Sequence, residues 1–90
     1  MSLEKNAEAL LKKALWTTTL TEDQLAAARL IALPVSQGVR DPDKVYNLYH
    51  ARAQVIPKHR PMQKRKVVDL YKVLILSENR PILNHLVATS

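Results

Sequence analysis

The stretch LTEDQLAAARLIALPVSQG, residues 20–38, decides the fold because it contains the clearest helix start in the chain, followed by the signals of a helix end. Thr21 and Gln24 form a capping box: the Thr21 hydroxyl accepts the Gln24 N–H, and the Gln24 side chain accepts the Thr21 N–H. Leu20 and Leu25 occupy the positions of a hydrophobic staple around this box. The pattern predicts that an α-helix begins at residue 22.

The end of this helix is marked by a proline and by the single glycine of the chain. Pro34 lacks a backbone N–H and should bend the helix or end it. Gly38 is suited to the left-handed residue that commonly follows a final helical turn. We therefore predict a kinked helix over residues 22–37, with a wide apolar surface of Leu, Ile and Ala.

Similar signals on either side of this stretch predict three more helices. Leucines and alanines recur at three- and four-residue steps from Leu3, which predicts a helix over residues 3–16. Asp41 and Pro42 suit the N-cap and first position of a helix over 42–56, which Pro57 ends. A last apolar stripe predicts a helix over 62–76. Four apolar residues beyond Pro81 predict a short final helical segment: Ile82, Leu83, Leu86 and Val87.

The composition places these helices in one small all-α domain. The 90 residues include one Gly and no Cys, whereas a β-sandwich or barrel needs many Gly-rich turns, and a disulfide scaffold needs cysteines. We predict an antiparallel four-helix bundle with a short C-terminal helical extension, spanning residues 1–90 as a single domain, with Trp16 as a lid on the core. The predicted core residues are Leu11, Leu15, Leu25, Leu30, Leu48, Tyr49, Leu70 and Leu74.

The residues that catalysis or metal binding would need are missing or scattered. The chain has no Gly-rich phosphate loop, no Cys–His metal spacing and no nucleophile motif. His50, His59 and His85 fall on different predicted elements, where a shared metal or catalytic role would be a coincidence of folding. We therefore expect a protein that is not an enzyme and binds no cofactor or metal. Lacking a signal peptide and a spanning segment, it is expected in the cytoplasm.

Positive charge is concentrated in the segment PKHRPMQKRK, residues 57–66. Residues 1–56 carry a net charge of +1, whereas residues 57–90 carry +5. Such a cluster attracts a nucleic acid, an acidic protein face or the inner leaflet of a membrane. The alternative is that the segment is a solvated linker without a binding role. If it is functional, we expect one exposed cationic partner-binding face formed by Lys58, His59, Arg60, Lys64, Arg65 and Lys66.

The order of these signals resembles the enterocin A/pediocin-like bacteriocin immunity proteins over residues 7–76. A leucine-rich first helix precedes the Thr21–Gln24 start, the second helix ends at Gly38, and Asp41-Pro42 opens the third. The last helix carries a Val-x-x-Leu-Tyr stripe from Val67 to Tyr71. The proteins of this family are small, Cys-free, mostly basic cytosolic four-helix bundles. The chain departs from the pattern at Pro34, at the PKHRP loop and at Pro81.

The resemblance implies a protective role without catalysis. In that family the bacteriocin acts with a mannose-type phosphotransferase permease in the membrane, and the immunity protein prevents leakage from the cytosolic side. The C-terminal half governs which bacteriocin is neutralised. The alternatives are a basic helical nucleic-acid-binding regulator of phage or plasmid type, for which Gln63, Lys64 and Arg65 offer suitable side chains, and a protein-binding adaptor.

Overall fold

The computed structural model describes residues 4–89, in which the regular secondary structure is helical and no β-strand occurs. The prediction of an all-α protein is confirmed. Leu3, the first residue of the first predicted helix, lies outside the described residues. A 3₁₀ turn at Ser77–Asn79 precedes the last helix. The α-helices are α1 (Lys5–Ala14), α2 (Glu22–Ser36), α3 (Pro42–Ala53), α4 (Lys64–Leu74) and α5 (Arg80–Ala88).

Both ends of α2 are set by local hydrogen bonds. At its start, the Thr21 hydroxyl accepts the Gln24 N–H at 3.1 Å, and the Gln24 side chain accepts the Thr21 N–H at 3.0 Å. The helix continues through Pro34 to Ser36, and Gly38 follows with a φ of +94°. The predicted capping box and the predicted left-handed glycine are both confirmed.

Helices α3 and α4 are shorter than predicted because the segment between them leaves the helical conformation earlier. The predicted end of α3 was residue 56, but the helix ends at Ala53. Ile56 precedes Pro57, and the residue before a proline is disfavoured in the α-region. Helix α4 begins at Lys64 rather than at residue 62, since Gln63 is still extended with a ψ of 148°.

The core forms around α2, which packs against α3, α4 and α5. Its centre is lined by alanines, and Ala27, Ala28 and Ala32 are completely buried. Such small side chains let neighbouring helices approach closely. Helix α1 packs against α4 and α5, and α5 contributes Leu83 and Leu86 to the core. The short helical segment predicted beyond Pro81 is therefore present as α5.

Five of the eight predicted core residues are buried: Leu11, Leu15, Tyr49, Leu70 and Leu74. Leu25 and Leu30 are partly buried and pack at the edge of the core. The prediction for Leu48 is wrong, since this residue is 39% exposed. Helix α3 directs a narrow stripe of every fourth residue inward, namely Val45, Tyr49 and Ala53, and Leu48 lies beside that stripe.

Truncating two leucines, one at a time, should distinguish a core position from a position at the edge of the core. Leu70→Ala removes a fully buried side chain and should lower the free energy of unfolding by about 2–5 kcal/mol. Leu48→Ala is the matched control and should cost about 1 kcal/mol or less, because its side chain already contacts water. Urea denaturation followed by circular dichroism measures both values. Equal losses for the two variants would contradict this assignment of the core.

Candidate interaction surface

The basic segment is anchored to the core through the side chain of Tyr49. Tyr49 belongs to α3 and is completely buried, yet its hydroxyl reaches the segment that connects α3 to α4. This hydroxyl accepts the backbone N–H of Met62 at 2.8 Å and lies 3.1 Å from Nε2 of His59. Because a buried hydroxyl needs hydrogen-bond partners, this contact fixes the path of the segment.

His59 extends the contacts of this hydroxyl towards α2. Its side chain is 2% exposed, and its Nδ1 lies 3.4 Å from Oδ1 of Asp23. In the tautomer with its proton on Nδ1, the ring accepts the Tyr49 O–H at Nε2 and turns Nδ1–H towards the Asp23 carboxylate. The prediction that His59 belongs to an exposed face is therefore wrong. Its ring is an internal anchor, and its burial follows from its position next to Tyr49.

The other five residues of the predicted face are exposed. Lys58 and Arg60 lie in the anchored segment, and Lys58 has a left-handed φ of +62°. Lys64, at the start of α4, turns towards α3: its Nζ lies 2.8 Å from Oδ1 of Asp43 and 5.7 Å from the centre of the Tyr46 ring. The hydrogen bond to Asp43 raises the pKa of Lys64. An exposed pair of this kind adds little stability.

Arg65 and Lys66 face a different neighbour from Lys64. They line a concavity of about 460 Å³ together with Trp16, at the end of α1, and Asp69 of α4. The structure thus places these two residues beside Trp16, which is predicted above to cover the core.

Trp16 is 92% exposed, so the prediction that it forms a lid on the core is wrong. It follows α1 in a left-handed conformation with a φ of +54°. The N–H groups of Trp16 and Thr17 donate to the carbonyls of Lys13 and Lys12 at 3.3 and 3.0 Å. This is the Schellman helix ending, in which the left-handed position usually holds glycine. Turning the chain here directs the indole away from the core.

A second and larger concavity of about 820 Å³ also includes Trp16 in its lining. It lies between the end of α1 and the end of α4, and its lining includes Leu10 and Val73. Leu76, also in the lining, is 45% exposed. The lining includes three lysines and two acids: Lys12, Lys13, Lys72, Asp69 and Glu78. We call Trp16 with Lys13, Arg65, Lys66 and Lys72 the Trp16 surface.

The remaining two histidines are engaged at separate places. His85 accepts the N–H of Glu4 at 3.2 Å, and the His50 ring lies 5.7 Å from that of Tyr46. Within residues 4–89, no group of three or more His, Asp or Glu side chains is arranged to hold a metal ion. Over the same residues, no helix has the length and hydropathy needed to cross a membrane.

The buried network makes a prediction about pH. Burial raises the pKa of the Tyr49 hydroxyl, with a further contribution from Asp23. Its protonated form is therefore favoured in the fold, and the stabilisation that is fully present below about pH 10 should be lost as the pH rises through the folded-state pKa. The Tyr49→Phe variant should not show this loss of stability at high pH, whereas the Tyr46→Phe variant should still show it. Unfolding free energies between about pH 9 and 11 test this, and identical pH profiles for the two variants would contradict it.

The same hydroxyl should also control the order of the basic segment. Tyr49→Phe leaves the Met62 N–H and the His59 ring without their partner, which should cost about 1–3 kcal/mol. Hydrogen exchange at the Met62 amide should accelerate more than exchange within α2. Uniform acceleration across the chain would instead indicate a purely global effect.

Comparison of the chain with protein-family models, with curated proteins and with solved structures finds no significant match. A function is therefore inferred from the residues and their geometry.

Proposed function

We propose that this chain is a bacteriocin immunity protein that protects a cell from a pediocin-like bacteriocin without catalysis. It acts from the cytoplasmic side by binding the complex of the bacteriocin with a mannose-type phosphotransferase permease, and it contacts the inner leaflet beside that complex. The proposal requires no cofactor and no small-molecule substrate. It combines the sequence resemblance over residues 7–76 with the arrangement of exposed cations on a small helical domain.

The observation that carries this proposal is the way in which the basic segment is held. A flexible basic tail attracts any anion, whereas this segment is fixed by the Tyr49 hydroxyl and by the His59 ring. Exposed cations at defined positions can match a particular arrangement of acidic or phosphate groups, which favours selective recognition. Selectivity towards one bacteriocin complex is what an immunity protein needs.

The proposed fold is the antiparallel four-helix bundle of that family, formed by α1 to α4, with α5 as the C-terminal extension. Short connections support it. Residues 15–21 join α1 to α2 and residues 37–41 join α2 to α3, and segments this short favour antiparallel neighbours. The longer connection at residues 54–63 carries most of the anchored segment. In this arrangement the charged C-terminal third is free to meet a partner while α2 supports it.

A second candidate function is nucleic-acid binding by a small regulator. The observation that favours it is the proximity of Trp16 to Arg65 and Lys66 around one concavity. Proteins that bind single strands combine an aromatic stacking platform with a cationic path for the backbone. On this reading the Trp16 surface binds a nucleic acid.

Protection of living cells tests the first proposal. The chain is expressed in a sensitive strain, which is challenged with a panel of pediocin-like bacteriocins; survival against one or more of them is expected. Replacing Lys64, Arg65 and Lys66 by Gln should reduce survival without changing the helix content. The matched control replaces Lys5, Lys44 and Arg52, three exposed cations outside residues 57–66, and should protect as the unmodified chain does. No protection against any member of the panel would contradict the proposal.

A mobility-shift assay separates the two candidates. Under the immunity proposal the unmodified chain should shift neither duplex nor single-stranded probes tightly at low salt. Under the alternative it should bind, its affinity should fall steeply with salt as counterions are released, and the Gln variant at residues 64–66 should lose binding. Tight, salt-sensitive binding would favour the regulator over the immunity protein.

A further inference from the structure

We infer that the Trp16 surface is a peripheral membrane contact that binds bilayers containing anionic phospholipid. The inference deepens the proposed function, on which it rests for the side of the membrane that is contacted. Binding itself depends only on the residues of this surface, so it can be measured without a bacteriocin or a permease.

Trp16 gives the first part of the argument because it contributes almost nothing to the core. The residue is 92% exposed and occupies a left-handed position that disfavours bulky side chains. In the equivalent position after α2 the chain has Gly38, which adopts this conformation without strain. A large aromatic side chain held outward at a conformational cost indicates a role outside the fold.

The charges around Trp16 give the second part. Lys13 and Lys72 share the larger concavity with Trp16, and Arg65 and Lys66 share the smaller one. None of these four cations forms an ion pair with another described residue, whereas nearby Lys12 pairs with Glu8 at 2.7 Å. Asp69 lines both concavities and Glu78 lines the larger one, so over the two concavities together the four unpaired cations outnumber the two acids.

Together these features match the boundary between an anionic leaflet and water. Indole side chains favour the headgroup level of a bilayer, where an apolar ring and a polar N–H are both accommodated. Each Lys or Arg near an anionic leaflet adds about a fivefold attraction. The exposed side chain of Leu76, in the same concavity as Trp16, adds apolar area. A single indole with four cations predicts reversible binding rather than permanent insertion.

An acidic protein helix is the competing occupant of the larger concavity, and the position of the indole favours the membrane over it. Side chains that hold a partner helix line the groove that receives it, whereas Trp16 projects into solvent at the boundary of two concavities. The projecting indole therefore meets a planar surface before the groove walls do.

Trp16 is the only tryptophan of the chain, so tryptophan fluorescence reports directly on this surface. Vesicles of pure phosphatidylcholine and vesicles with about one third phosphatidylglycerol are added to the full chain, at low and at physiological salt, and indole emission is recorded. We expect a blue shift and quenching by brominated lipid with the anionic vesicles, weaker binding at the higher salt, and no shift with the neutral vesicles. An equal response to both vesicle types would overturn the role of the cations, and no response to either would overturn the inference.

Variants assign the binding to individual groups in a co-sedimentation assay, which does not depend on the indole. Trp16→Gly should lose at least tenfold in vesicle binding, while its unfolding midpoint stays the same or rises, because glycine suits the left-handed position. Arg65→Gln with Lys66→Gln should bind about thirtyfold more weakly. The control pair, Lys44→Gln with Arg52→Gln, removes equal charge from α3 and should change binding little. Equal losses for the two pairs would reject a localised surface.

The outcomes distinguish this inference from the proposed function. Anionic vesicle binding without cell protection would leave the membrane contact standing and remove the immunity role. Protection without vesicle binding would leave the immunity role standing and remove the membrane contact. Indole quenching by single-stranded nucleic acid, with no response to vesicles, would overturn the membrane contact in favour of the nucleic-acid candidate.

Discussion

The hydroxyl of Tyr49 is the contact on which the exposed part of this protein depends. It is carried by a fully buried ring of α3 and accepts the Met62 N–H, while His59 continues the network to Asp23 of α2. Because an unpaired buried hydroxyl is costly, the connection between α3 and α4 cannot move away without a loss of stability. The rigidity of the core is thereby transmitted to a segment that would otherwise be a loose basic loop.

The anchored segment also explains why the cations divide into separate groups. Helix α4 begins at Lys64, separated from Met62 only by Gln63, so the first turn of the helix is fixed relative to α3. Successive residues of a helix point in different directions, about 100° apart. Lys64 consequently meets Asp43 and Tyr46 on one side, while Arg65 and Lys66 meet the Trp16 concavity.

Two helices of the chain end in the same motif with different residues at the left-handed position. After α2 the position holds Gly38, which takes this conformation freely, whereas after α1 it holds Trp16. The ending after α2 agrees with local conformational preference, and the ending after α1 conflicts with it. Such conflicts are expected where a functional requirement competes with the fold. Here the conflict coincides with the most exposed of the large hydrophobic residues described.

The sequence by itself determined the all-α class, the capping box at Thr21 and the turn at Gly38, because these depend on contacts within a few residues. Apolar periodicity also identified part of the core, since five of the eight residues that it predicted are buried. Only the tertiary structure decided that Leu48 lies outside the core, that the His59 ring is shielded from solvent next to Tyr49, and that Trp16 faces solvent beside Arg65 and Lys66. The first two depend on which helices meet and how closely they pack, and the third depends on a left-handed helix ending at a residue that seldom adopts it. Neither composition nor periodicity contains that information.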